Sequence, residues 1–187
     1  MQRTTKETDV KIRVRIDGTG KGEVNTGVGF LNHMLESLAV HSQMDLVVEA
    51  KGDLQHHVVE DVAITLGQAI KTALKDRRGI RRFGYAIVPM DDALAVAAVD
   101  LVRRPYYSVN MKIRRLMVED APREDLEHFL PSLAVALEAT IHAKVLEGRN
   151  DHHKFEAAMK AFAIALRDAM AFDVKKGKLI SSSKGVL

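Results

Sequence analysis

The chain has 187 residues, 47% of them hydrophobic, enough for a buried core in one compact domain or two fused halves. It contains no cysteine, which excludes disulfides, thiolate nucleophiles and cysteine-bound zinc together, so any metal site must be built from His, Asp and Glu. A net charge of +3 and a pI near 9.1 suit a small anionic partner such as a phosphate and are too mild and scattered for nucleic acid.

No apolar run reaches membrane-span length, and the polar stretch 1–11 lacks the hydrophobic segment of a signal peptide, which predicts a soluble, cytoplasmic protein with no membrane contact. Residues 10–16 (VKIRVRI) alternate as a half-buried strand. The Gly-rich stretch 18–29 leads into a helix predicted over about 28–41, and 44–50 predicts another strand. Residues 62–74 carry apolar side chains at three- and four-residue spacing, a helical pattern. Arg77, Arg78, Arg81 and Arg82 form the densest basic run, and such runs ordinarily mark a solvated turn. Residues 85–101 supply apolar strand material, 106–113 alternate, and helices are predicted near 124–140 and from about 151, with the apolar pattern over 157–170. The stretch 181–187 (SSSKGVL) is too polar for core and reads as a tail.

The chain is internally duplicated. Residues 33–40 (HMLESLAV) return as 128–135 (HFLPSLAV), with six of eight positions identical. Downstream of each copy stands His-His-x-x-Glu: His56, His57 and Glu60, then His152, His153 and Glu156. The offsets, 128 − 33 = 95 and 152 − 56 = 96, are nearly equal. Helices alternating with strands predict an α/β chain, an α+β two-layer sandwich repeated once, with half-repeats 1–80 and 81–187 meeting near 76–84.

The paired histidines point to metal. On a helix, residues four apart share a face, so His56 with Glu60, and His152 with Glu156, can each grip one ion. The adjacent His57 and His153 point about 100° away around the same helix, so one ion cannot take both members of a pair. If the halves face each other, pseudo-symmetry gives one ion His56, Glu60, His128 and His153, and the other His152, Glu156, His33 and His57. Three imidazoles and a carboxylate leave open positions on an octahedral ion, as catalysis requires, and suit Mn, Fe, Co or Zn alike. A single such motif would read equally as a solvated helix start with a Glu near the positive dipole end; two copies favour metal. His41 and His142 lack counterparts in the other half, and each is as readily a packing residue as a site residue.

Other motifs are weaker. The stretch 26–29 (TGVG) before a helix lacks the Lys and spacing of a phosphate-cradling loop, and no Gly-x-Ser-x-Gly elbow is present. Arg82, Arg104, Lys160 and Lys184 suit a phosphate chemically but read equally as surface charges. Residues 90–94 (MDDAL) read as a turn with its carboxylates toward solvent.

Taken together, the stretches 26–35 (TGVGFLNHML), 52–61 (GDLQHHVVED), 82–84 (RFG), 90–94 (MDDAL), 104–106 (RPY), 127–129 (EHF), 148–157 (GRNDHHKFEA) and 182–185 (SSKG) resemble the imidazoleglycerol-phosphate dehydratase family along nearly the whole chain. The resemblance implies a duplicated β/α unit similar to the second domain of ribosomal protein S5. It implies two manganese ions per active site, on His33, His57, His152 and Glu156 and on His56, Glu60, His128 and His153. It further implies a substrate phosphate held by Arg82, Arg104, Lys160, Ser182, Ser183 and Lys184 with the C-terminal tail as part of that site, and Glu7 near the reacting carbons; His41 is carried beside Glu7 as a candidate catalytic group. The implied reaction dehydrates D-erythro-imidazole glycerol phosphate to imidazole acetol phosphate in histidine biosynthesis, through an imidazolate and a diazafulvene-like intermediate. Self-association into a large closed cage of about 24 subunits, with neighbours completing each site, is expected from the same resemblance. Asn32, Ser37, Asp92 and a shortened stretch before His56 depart from the family's usual pattern.

Two rivals come from other classes: a non-catalytic protein whose metals staple an oligomer, and an RNA-binding module of the S5 type. Three Tyr, six Phe and no Trp, with no strand interleaving aromatic and basic residues, argue against RNA.

Overall fold

The computed structural model describes residues 1–175, 177 and 179–182. In chain order the first half contains β1 (Gln2–Thr4), β2 (Thr8–Arg15), β3 (Gly22–Asn25), α1 (Gly29–Ser42), β4 (Asp45–Gly52) and α2 (Gln55–Leu74). The second contains β5 (Phe83–Met90), β6 (Ala93–Asp100), β7 (Tyr106–Asn110), the short hairpin β8 (Met117–Val118) and β9 (Ala121–Pro122), α3 (Arg123–Leu137), β10 (Thr140–Glu147) and α4 (Asp151–Met170).

Alternation decides the sheets. Val10 and Ile12 of β2 are buried while Lys11 and Arg13 face water, and Ala95, Ala97 and Val99 of β6 repeat the pattern. The two sheets have matching order, β1-β2-β4-β3 and β5-β6-β10-β7, antiparallel except for a parallel last pair. Register carries the duplication: Arg15 faces Asp45 in the first sheet and Asp100 faces Thr140 in the second, shifts of 100 − 15 = 85 and 140 − 45 = 95. Helices α1 and α2 cover one sheet, α3 and α4 the other, and the halves join where α2 packs on α3 and α1 on α4. The duplicated two-layer α/β unit expected from the sequence is therefore the fold.

Close approach is built with small residues. α4 carries buried Ala157, Ala158, Ala161, Ala163, Ala165 and Ala169, and it lies so near β5 that a Cβ on Gly84 would sit 1.9 Å from the Ala165 carbonyl oxygen. At the α2–α3 seam a Cβ on Gly67 would lie 2.8 Å from Ala136 Cβ and from the Leu133 carbonyl oxygen.

Three expectations need correction. The helix predicted near 124–140 ends at Leu137, with Glu138 in the left-handed region at φ 54, and 140–147 forms the strand β10. Ala, Lys, Leu and Glu there favour helix locally, but pairing with both β6 and β7 overrides that weak preference and buries Ile141, Ala143 and Val145. The Gly-rich stretch holds β3, and β1, β8 and β9 are further strands too short for periodicity to reveal. Finally, the basic run is a turn with Arg78 and Arg81 exposed as expected, but Arg77 is not solvated: it is 1% exposed and donates from Nη1 to the Glu138 carbonyl (2.9 Å) and from Nη2 to the Leu137 carbonyl (2.5 Å). Its cation thus caps the carbonyl end of α3, where the helix dipole favours positive charge.

Candidate metal centre

The two His-His-x-x-Glu motifs form the first turns of α2 and α4. The Asn150 side chain caps α4 by accepting from the N–H groups of His152 and His153, which fixes the backbone under both rings. The four-residue spacing behaves as helix geometry requires: His152 Nε2 lies 3.2 Å from Glu156 Oε2 and His56 Nε2 lies 3.9 Å from Glu60 Oε2. From α1, His33 brings Nε2 to 3.7 Å from Glu156 Oε2, and the donor atoms of His33, His152 and Glu156 all lie within 4.8 Å of one another. From α3, His128 sets its ring 6.0 Å from that of His56. One chain therefore gathers the donor atoms of His33, His152 and Glu156 into one cluster and sets His56, Glu60 and His128 near one another in a second, looser one.

His57 and His153 face elsewhere. His57 Nδ1 lies 2.8 Å from Asp53 Oδ1, and His153 Nδ1 lies 2.7 Å from Asp92 Oδ1 with Asp91 Oδ2 3.3 Å from its Nε2. Within 90–94 the turn is Asp91 and Asp92 alone, between β5 and β6, and both carboxylates hold a motif histidine. The other two motif histidines are held in the same way, His56 Nδ1 by Asp125 Oδ1 at 2.9 Å and His152 Nδ1 by Glu119 Oε1 at 3.0 Å. Sequence reasoning missed these four contacts. Only Asp53, four residues before His57, carried a helical-spacing signal; the others come from distant segments.

The β8–β9 turn gathers further elements. The Asp120 carboxylate accepts from the N–H groups of Gly29 and Phe30, capping α1, while its carbonyl accepts from Gln55 Nε2 at the start of α2. With Glu119 on His152, this turn touches the starts of three ligand-bearing helices and runs directly into the fourth, α3.

Burial pushes the Glu156 carboxyl up, but a Lys160 ammonium at 2.8 Å and the neighbouring His33 and His152 outweigh it and hold the group ionised, below its ordinary value. The Asp53 hydrogen bond pushes the His57 imidazole up, and Asp92 is held well below the usual carboxylate range by His153 and by the N–H groups of Arg149 and Asn150. His41 is pushed down by burial and by Lys160. It sits eight residues along α1 from His33, about 12 Å at 1.5 Å per residue, and joins neither cluster. Glu7 reaches to 3.9 Å from His57 Nδ1.

Within one chain the residues expected to hold phosphate fall in two places. Lys160 adjoins Glu156. Arg82 bonds backbone-to-backbone with Ala169, nine residues and about 14 Å further along α4, and its guanidinium grips Asp100 (2.7 and 3.0 Å) and the Ser181 carbonyl (2.7 Å). Arg104 is exposed at the same end of the second sheet as Arg82: its carbonyl accepts from Thr140, which pairs with the Asp100 that Arg82 grips. Ser182 lies beside Ser181 in the described tail; Ser183 and Lys184 lie outside the described residues. Asn32 accepts from the N–H and hydroxyl of Thr26, and Ser37 is buried on α1. No helix among the described residues is long and apolar enough to cross a membrane.

Each cluster offers two imidazoles and a carboxylate, borderline and hard donors that suit a divalent ion such as manganese. A family model described as imidazoleglycerol-phosphate dehydratase matches residues 26–166. The chain is 53% identical over 99% of its length to the imidazoleglycerol-phosphate dehydratase of Methanothermobacter thermautotrophicus, covering 95% of that protein, and 48% identical over 98% of its length to that of Chlorobium phaeovibrioides, covering 92%. Among solved structures it is similar to the enzyme of Pyrococcus furiosus, crystallised in complex with (S)-C348, with 42% identity, TM-score 0.86 and all of both chains covered. The Staphylococcus aureus enzyme matches at 37% identity and TM-score 0.83, over 92% of this chain and 98% of that one.

Proposed function

The chain belongs to the imidazoleglycerol-phosphate dehydratase family and is a hydro-lyase, and on that premise we propose that it dehydrates D-erythro-imidazole glycerol phosphate to imidazole acetol phosphate with two manganese ions bound at its histidine clusters. The observation that supports this most directly is the gathering of His33, His152 and Glu156 by α1 and α4, beside the pseudo-equivalent His56, Glu60 and His128 on α2 and α3. Each cluster is one ligand short of the set expected from the family. His57 and His153, turned away within their own chain, would supply the fourth donors to the clusters of neighbouring subunits, His57 to the first and His153 to the second. A closed assembly of many copies follows, with a small phosphate as its substrate.

Two bound cations would supply an electron sink for the substrate imidazole, which is what the weakly acidic carbon-bound hydrogen requires. The protein's part is proton transfer and placement. Glu7, beside His57, would take the proton from carbon and return one as the hydroxyl departs and the enol settles to the ketone. Lys160 keeps Glu156 ionised and able to ligate, and with Arg82, Arg104 and the tail serines and Lys184 it would meet the substrate phosphate across subunits.

The test is turnover of imidazole glycerol phosphate by protein stripped of metal and titrated with manganese. Activity should return with metal, be lost in His56→Ala, and fall steeply in Glu7→Gln while manganese content holds. No turnover in an assembled, manganese-loaded sample would favour metals that only staple the oligomer.

A further inference from the structure

Asp125 is the most buried of the four carboxylates that lie within 3.0 Å of Nδ1 of a motif histidine. Its side chain is 3% exposed, whereas those of Asp53, Asp92 and Glu119 are 55%, 37% and 58% exposed. It lies in the first turn of α3, and its carboxylate oxygen stands 2.9 Å from Nδ1 of His56 on α2. Three residues on, and so on the same side of α3, is His128, whose ring is 6.0 Å from that of His56. The contact therefore crosses the seam between the two halves at the point where both contribute to one cluster.

An ionised carboxylate only accepts hydrogen bonds, so the proton must reside on Nδ1 and the lone pair on Nε2, the nitrogen that faces Glu60 at 3.9 Å. We propose that Asp125 is a positioning residue that fixes the tautomer and the aim of His56 from across the half-repeat seam. Its burial makes that hold tight, since no solvent competes for the carboxylate. His152 is held instead by the exposed Glu119, so the second cluster should depend on such a clamp more than the first. Part of the test rests on the manganese reading above, and the tautomer measurement keeps the two separable.

In metal-free protein at pH 8, nitrogen-15 imidazole NMR should show His56 as the Nδ1–H tautomer, and Asp125→Asn and Asp125→Leu should each populate Nε2–H. Manganese titration followed by electron paramagnetic resonance should then show one ion per subunit bound 10- to 100-fold more weakly in both variants, with the other unchanged. An Nε2–H tautomer in the parent protein, or tautomers indifferent to both substitutions, would overturn the proposal, as would a loss of affinity shared equally by both ions. If the parent protein takes no manganese, the metal reading fails while the tautomer result still decides the role of Asp125.

Discussion

Lys154→Met is the sharpest test of how the second motif is held in place. Lys154 is 1% exposed; its Nζ donates to Asp151 Oδ1 at 2.6 Å and to the Lys112 carbonyl at 2.9 Å, and Asp151 Oδ2 accepts from the N–H groups of Arg114 and Arg115. Methionine keeps the chain's volume and removes the charge, leaving a 3%-exposed carboxylate without its cation. Breaking one partner of a buried ion pair costs about 3–5 kcal/mol, and the two remaining backbone donors on Asp151 argue for the lower end, about 3 kcal/mol. At roughly 2–4 °C per kcal/mol for a chain of this size, the melting temperature should fall by about 6–12 °C. Burial raises the Asp151 carboxyl, but Lys154 and the two N–H groups more than reverse this, so in the parent protein its contribution is present at neutral pH and lost as pH falls through the lowered folded value. Without Lys154 the carboxyl gains by protonating, so the deficit should shrink on acidification from pH 7 toward 4. Urea unfolding of metal-free protein across that range measures both effects; a deficit under about 1 kcal/mol at pH 7, or one that widens on acidification, would refute the reasoning.

Two further outcomes check the frame around the site. Gly84→Ala places a Cβ 1.9 Å from the Ala165 carbonyl oxygen, which must push α4 off β5, and should cost about 1–3 kcal/mol in urea unfolding. Asp45 is held down to about 2 by the N–H groups of Thr19 and Lys21, so its contribution to stability exists above its ordinary value of 3.8 and disappears as pH falls toward 2. Asp45→Asn should therefore melt lower than the parent at pH 7 and converge with it near pH 2, which a melting series in pH would show.

What the sequence yielded followed from period. The alternation of 10–16, the three-and-four spacing of 62–74 and 157–170, and the repeated His-His-x-x-Glu all became elements where expected. β10 did not, because its helix-favouring composition is overridden only by strands that lie far away in sequence. Arg77 was misread for a related reason: a charge run looks solvated until α3 delivers two carbonyl oxygens to its guanidinium. The carboxylates on the ring Nδ1 atoms were illegible because His56 and Asp125 are 69 residues apart, and His153 and Asp92 are 61 apart.

Duplication supplied two sets of donors, but the halves hold them by different means. Counting 96 residues on from Asp53, the anchor of His57, lands on Arg149, which cannot accept from an imidazole; Asp92 serves His153 instead. By the 85-residue shift that relates β2 to β6, Asp92 corresponds to Glu7, the group proposed to move protons. The same point of the repeat thus carries an orienting carboxylate in one half, bonded at 2.7 Å, and in the other half a carboxylate left 3.9 Å from its histidine because Asp53 already occupies the ring. Similarly, the buried pair Lys154 and Asp151 stands where the first motif has Val58 and Gln55, an apolar contact and a side-chain amide on the Asp120 carbonyl. Removing the Lys154 charge should therefore disturb the second motif in a way that has no counterpart in the first, although the ligands themselves are alike. Freed from orienting its own histidine, Glu7 is the carboxylate of the pair that remains available for chemistry.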